Sequence, residues 1–173
     1  MSRAHQIQLK YDVEEDRSLL RISSLDKCEY QFWLTRRFTK LLWPILVRML
    51  ESTGNVVRQQ GQAAKSAILS FEHEKAKSST DFTTKYHDDA VRAPLGTSPL
   101  LLAKIEVKPD SGNGPRLGLH PLDGRGLELT MDDKLLHSFC TLLAKAAQSA
   151  DWHLDLSIGG ELAAVGDTPG RLN

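Results

Sequence analysis

The chain has 173 residues, of which 40% are hydrophobic and 25% charged, so it is long and apolar enough to bury a core. Its 22 lysines and arginines balance its 22 aspartates and glutamates, which gives a formal net charge of zero. This composition excludes a disordered chain, and it excludes a global charge that would attract the protein to nucleic acid or to an anionic membrane.

The first predicted elements are three strands. Apolar and polar residues alternate over residues 5–13, which is the pattern of a half-buried strand. After a charged turn the sequence predicts a second strand over residues 19–24, and after another short turn a third over residues 28–34. Together these segments predict a three-stranded meander.

A helix is predicted to follow, because the hydroxyl of Thr35 is suited to accept a hydrogen bond at a helix N-terminus. From Phe38 to Leu50 the apolar residues recur at helical spacing and cover one broad face. Pro44 lies inside this pattern and removes one helical hydrogen bond, so the helix either kinks there or is two shorter helices. We favour the kink, because the apolar phase continues across it. Gly54 is suited to end the helix.

A second helix with a narrow apolar stripe is predicted over residues 58–77, and Gly61 weakens its start. Residues 78–98 are rich in serine, threonine, aspartate, proline and glycine, and they predict a mobile surface linker. We expect this linker to be the internal stretch that is most sensitive to proteases. It divides the chain into two halves.

The second half repeats the order of elements of the first. Its predicted strands span residues 100–108, 116–122 and 126–130. Asp123-Gly124, between the last two strands, predicts a type I′ hairpin turn. Thr130 or Asp132 is expected to cap the helix that follows. Residues 152–158 predict one further strand.

These elements predict an α+β fold of two βββα units that share one core, with a linker helix and a final C-terminal strand. The match of Leu25-Asp26 with Leu122-Asp123 at equivalent turns favours an internal duplication, and low identity leaves two convergent meanders open as the alternative. The predicted organisation is a single domain over residues 1–158, comprising a first unit (5–55), a linker helix and mobile loop (56–98) and a second unit plus last strand (99–158), followed by a flexible tail (159–173).

Motifs for catalysis or cofactor binding are absent from the sequence. It contains no phosphate loop, dinucleotide fingerprint, nucleophile elbow or zinc-protease motif, and we predict no catalytic residue, no metal and no cofactor. Cys28 and Cys140 are far apart in sequence and are expected to be buried thiols. An enzyme acting on a small molecule would need His120, His137 or His153 to line a cleft between the halves, which the sequence alone does not establish.

An excess of apolar side chains on nominally outer faces points to a binding function. The residues concerned are Trp33, Trp43, Val47, Leu100 and Leu102. Either other parts of the chain cover them, or they form a subunit or partner interface. The leading hypothesis is therefore a non-catalytic intracellular binding or scaffold protein that self-associates as a homo-oligomer, most simply a dimer.

A basic stripe on the first helix supports the alternative hypothesis. Arg36, Arg37, Lys40 and Arg48 lie within about 120° of one another, opposite the apolar face. Such a stripe could contact phosphates, which would make the protein a nucleic-acid-associated regulator. The net charge of zero disfavours this alternative.

The sequence predicts a cytoplasmic protein without a membrane segment. The longest apolar run, Leu41 to Leu50, is interrupted by Pro44 and Arg48 and is far shorter than the roughly 20 residues of a membrane span. The N-terminal residues show no apolar region or cleavage pattern of a secretory leader.

Overall fold

The computed structural model describes residues 2–52, 56, 58–79, 86, 92–108 and 115–159. Within these ranges the chain forms six strands and three helices, so the predicted α+β fold class is confirmed. The strands are β1 (Ser2–Asp12), β2 (Arg17–Ser24), β3 (Glu29–Leu34), β4 (Leu100–Lys108), β5 (Arg116–Pro121) and β6 (Leu127–Thr130). The helices are α1 (Arg36–Glu51), α2 (Gln62–Ser79) and α3 (Asp133–Ser149).

The six strands close into a barrel in the order β1-β2-β3-β4-β5-β6. Strands β1 to β3 and strands β4 to β6 each form an antiparallel meander, as the sequence predicts. Two short parallel pairings join the meanders. Phe32 in β3 lies opposite Leu100 in β4, and Leu129 in β6 lies opposite Ser2 in β1. Strand β1 therefore starts earlier than predicted, because its first residues complete the closure.

One hydrophobic core draws on both halves of the chain. Alternate strand residues and the inner faces of α1 and α3 contribute side chains with no exposed surface. They include Leu20, Ile22, Phe32, Leu117, Leu119 and Leu129 from the strands and Leu42, Leu46, Phe139 and Leu143 from the helices. Each such side chain stabilises the fold by about 1.5–3 kcal/mol relative to an exposed one.

Side chains cap two of the helices, as predicted. Thr35 Oγ1 accepts a hydrogen bond of 3.1 Å from the backbone N–H of Phe38. At α3 the cap is Asp132, whose carboxylate accepts a hydrogen bond of 2.8 Å from the backbone N–H of Leu135. Helix α1 continues through Pro44 as one helix rather than two. Each cap satisfies a backbone N–H that would otherwise have no partner within its helix.

The predicted strand over residues 152–158 is wrong. The chain enters this segment with Asp151 and His153 in the left-handed region, at φ 52° and 51°, and the segment forms no strand. A closed barrel also offers no free edge on which a seventh strand could pair. The segment is instead attached to a helix, because Arg36 Nε donates a hydrogen bond of 2.7 Å to the carbonyl of Trp152.

The predicted type I′ turn is also wrong. Five residues, 122–126, connect β5 and β6, and Gly124 has positive φ whereas Asp123 does not. A type I′ turn needs positive φ at both central positions. Helix α2 starts later than predicted, at Gln62, because Gly61 adopts φ 92° immediately before it.

Several predictions fall on residues outside the described ranges. They concern Gly54, most of the linker over residues 78–98 and the tail after Gly159. The predicted division into one domain and a tail likewise stays a prediction.

Candidate functional site

A groove of about 880 Å³ lies between α2 and α3. Its walls include small side chains at helical spacing: Ala63, Ser66, Ala67 and Ser70 on α2, and Thr141 and Ala144 on α3. The irregular segment after α3 lines the groove as well. Ala63 and Ala67 stay exposed in this groove, so it is an open space beside the contact between α2 and α3.

Two histidines form the polar centre of this contact. The Nδ1 atoms of His73 on α2 and His137 on α3 lie 3.1 Å apart, and their ring centroids lie 5.3 Å apart. Burial, followed by the charges of His137 and Lys77, lowers the pKa of His73 to about 4. Burial also lowers the pKa of His137. Both rings are therefore neutral at neutral pH, and one Nδ1–H donates to the other Nδ1.

Serine hydroxyls hold the end of the described chain against α2. Ser66 Oγ donates a hydrogen bond of 2.6 Å to the carbonyl of Gly159, and Ser70 Oγ donates one of 2.9 Å to the same oxygen. Gly159 has φ 72°, and a Cβ there would lie 2.6 Å from the carbonyl oxygen of Ser66. Glycine is therefore required at this position for the segment to approach the helix so closely.

The three histidines that the sequence analysis named for an enzyme site have different neighbours. His137 contacts His73, whereas His120 Nε2 lies 3.9 Å from Glu106 and His153 Nε2 lies 3.4 Å from Asp151. The His73–His137 pair was not predicted from the sequence. In the sequence, His73 continues the helical spacing of the small residues on α2. This spacing places His73 on the same side of the helix, but it does not indicate which residue His73 contacts.

The two cysteines are buried free thiols, as predicted. Burial raises the pKa of Cys140 to about 12, so its thiol is not ionised at neutral pH. Neither cysteine lines the groove between α2 and α3.

Two of the five side chains predicted to form an interface are covered by the chain itself. Trp43 is 8% exposed and Leu102 is 3% exposed, and both belong to the hydrophobic core. The expectation of an outer, partner-facing position is therefore corrected for these two residues. Trp33, Val47 and Leu100 are half-buried, and for them the interface role stays a prediction.

The four cations of the predicted basic stripe are all on the surface. Arg36, Arg37, Lys40 and Arg48 are exposed on α1. Arg36 uses its Nε to bind the carbonyl of Trp152. Leu41 lies beside the other cations and is 53% exposed. The outer side of α1 therefore combines positive charge with exposed apolar surface.

Comparison with protein-family models, with curated proteins and with solved structures gives no match for this chain. Among the helices that the structure describes, none has both the length and the apolar character to cross a membrane. The described residues also contain no group of three or more His, Cys, Asp or Glu side chains that could hold a metal ion.

Proposed function

We propose that this chain is a non-catalytic binding protein, built by duplication of a βββα unit, that binds a protein partner through the outer side of α1. This surface, the α1 face, consists of Arg37, Lys40, Leu41, Pro44, Val47 and Arg48. Two observations support the proposal: the two units correspond, and this correspondence fails on the outer side of α1.

The hydrogen-bond registers of the two meanders correspond at a constant offset. Leu20 in β2 pairs with Phe32 in β3, and Leu117 in β5 pairs with Leu129 in β6. Each residue of the second pair lies 97 positions after its counterpart in the first, and all four side chains are fully buried. The same inward-facing positions are therefore apolar in both units.

Irregular features recur at nearly the same offset. Register shifts occur between Ala4 and Gln6 in β1 and between Leu102 and Lys104 in β4. In the turns that follow β2 and β5, Lys27 and Gly124 both have positive φ, at 55° and 93°. A register shift interrupts the regular ladder of a strand pair, and positive φ is uncommon for a residue such as Lys27. Their recurrence at matching positions favours duplication over two convergent meanders.

The correspondence extends to the helices but fails on one side. When α1 and α3 are aligned at their N-caps, six of the seven residues buried on α1 have a buried counterpart on α3. Helix α3 buries His137 and Thr141 in addition, and both lie toward α2. Their counterparts on α1 are Lys40 and Pro44, and these are exposed.

Among the elements that the structure describes, none covers the outer face of α1, whereas α2 covers the corresponding face of α3. This difference is the main support for the proposal. Leu41 and Pro44 are exposed on this face, with Val47 half-buried at its margin. Apolar side chains set among arginines on a surface are typical of protein interfaces.

The test is site-specific photo-crosslinking in cells. A photoreactive phenylalanine at position 41 is expected to form a discrete adduct with a partner protein. The same substitution at Phe71, which is 67% exposed on α2, is the matched control. No adduct from position 41 beyond that from position 71 would contradict the proposal.

The captured complex is then reassembled from purified components. Leu41→Glu is expected to weaken binding about tenfold, and Phe71→Glu is expected to leave it unchanged. An adduct that contains a second copy of this chain would make the protein a homo-oligomer. Equal affinities for the two variants would place the interface elsewhere and contradict the proposal.

A further inference from the structure

The composition of the α1 face identifies the class of its partner, an inference that rests on the proposed function. We infer that the α1 face binds an amphipathic helix with acidic side chains, contributed by a partner protein, in the position that α2 takes on α3.

A helix fits the α1 face because the corresponding face of α3 is already occupied by a helix, α2. Helix α2 has 18 residues and a length of about 27 Å. It contacts α3 through His73 and His137, and Thr141 and Ala144 of α3 line the groove beside this contact. The counterparts of these two residues on α1 are Pro44 and Val47. Since α1 and α3 rest on the same core with the same buried stripe, their outer ridges offer an incoming helix similar geometry.

The charges of the face select an acidic helix. Arg37, Lys40 and Arg48 lie among the apolar side chains of the face, and Glu51 is the one half-buried carboxylate at its end. In the part of the chain that the structure describes, none of these three cations forms an ion pair. A glutamate or aspartate on the docking helix would meet an unpaired cation, whereas a lysine would be repelled.

Two other occupants fit less well. A symmetric dimer through this face would place the three cations of one copy against those of the other, which like-charge repulsion disfavours. A nucleic acid would meet the cations but leave Leu41 and Pro44 without apolar contact, and so few cations neutralise too few phosphates for strong binding. An acidic amphipathic helix satisfies both the charged and the apolar parts of the face.

The probes are two amphipathic helical peptides of the length of α2 that share one stripe of small apolar residues. Glutamates flank the stripe in one peptide and lysines in the other. Binding to the full chain is measured by fluorescence anisotropy, and we expect the glutamate peptide to bind about tenfold more tightly. The variant Lys40→Glu/Arg48→Glu is expected to reverse this preference. The matched control Lys10→Glu/Lys134→Glu changes the net charge equally at exposed sites elsewhere and is expected to keep it.

Each outcome decides the inference. Reversal of the preference in Lys40→Glu/Arg48→Glu, but not in the control variant, supports it. Equal binding of the two peptides, or a preference that survives Lys40→Glu/Arg48→Glu, would overturn it, while an adduct from position 41 would still support the proposed function. A fluorescent DNA duplex that binds more tightly than the glutamate peptide, and loses affinity steeply with salt, would overturn it in favour of nucleic acid.

Discussion

The Nδ1 atoms of His73 and His137 lie 3.1 Å apart. At this distance the two neutral rings share one hydrogen bond, which joins α2 to α3. Only one of these nitrogens carries a proton in this arrangement, because two N–H groups facing each other would repel. Protonation of both rings therefore breaks the contact. We therefore expect the attachment of α2 to be sensitive to acid.

We expect the free energy of unfolding to fall as the pH decreases from about 6.5 to about 4. An unfolded histidine has a pKa of about 6.5, whereas His73 in the folded protein has a pKa of about 4. Between these values the unfolded state binds more protons, so acid favours unfolding. Urea unfolding at about pH 7.5, 5.5 and 4.5 should give midpoints that decrease in that order.

The variant His73→Gln separates this effect from the titration of other groups. It is expected to show a smaller loss of stability between neutral pH and pH about 4.5 than the unmodified protein. His153→Gln is the control, because the side chain of His153 is 79% exposed. The same pH dependence in His73→Gln as in the unmodified chain would contradict the role of the pair.

Gly159→Ala is expected to loosen the segment after α3. Alanine in the left-handed region costs about 1–2 kcal/mol, and at this position its Cβ would in addition meet the carbonyl of Ser66. Gly96→Ala is the matched control, since Gly96 has φ 94° and open space around its Cβ position. Urea unfolding should show a larger loss for Gly159→Ala than for Gly96→Ala. Equal losses would mean that the approach to α2 contributes nothing to stability.

Local patterns predict most of the individual elements. The strand over residues 100–108 is predicted with both ends correct, and so is the cap at Thr35. These features depend on side-chain alternation, helical spacing and a hydroxyl next to a helix start, all of which are local. The error over residues 152–158 arises because alternation alone cannot reveal that the barrel is closed and has no free edge.

Contacts between distant elements could not be predicted in the same way. Phe32 and Leu100 lie in strands whose patterns are separately clear, but neither pattern specifies a parallel pairing between them. His73 and His137 lie on helices whose apolar stripes were each visible. Nothing in either stripe shows which faces meet, so the sequence could not reveal the groove. Of the α1 face the sequence predicted the cations and Val47, but not the exposure of Leu41 and Pro44 beside them.

A part-buried ion pair distinguishes the first unit from the second. Arg21 Nε lies 2.6 Å from Glu29 Oε1, and Gln31 Nε2 donates a hydrogen bond of 3.0 Å to the same oxygen. The positions 97 residues after Arg21 and Glu29 are Gly118 and Gly126, so the second unit has no such pair. The carboxylate of Glu29 therefore makes contacts that Gly126, at the corresponding position, cannot make.

Glu29→Gln is expected to lower the free energy of unfolding by about 1–3 kcal/mol, because the carboxylate of Glu29, which is 9% exposed, loses its charge while Arg21 keeps its own. Glu15→Gln is the control, since Glu15 and Arg17 form an exposed contact of 3.9 Å. Its effect should stay below about 1 kcal/mol. Both values come from urea unfolding at neutral pH. If the two substitutions had equal effects, the Arg21–Glu29 pair would be no more important than a surface contact.

Neither half of the chain is expected to fold alone. Separating the halves removes both parallel pairings, at Phe32 with Leu100 and at Leu129 with Ser2, and it opens four strand edges. It also divides a core to which both halves contribute. Each half then has one amphipathic core helix over three strands, a size at which a single core is marginal.

The measurement is circular dichroism of residues 1–77 and 98–173, expressed separately and then mixed. Each fragment alone should lack a cooperative thermal transition, because its apolar strand faces and helix have nothing to cover them. The equimolar mixture should recover one transition that depends on concentration, since the two parallel pairings and the shared core then form between chains. Two fragments that each melt cooperatively on their own would show that the barrel joins two domains, and α1 and α3 would then belong to separate cores.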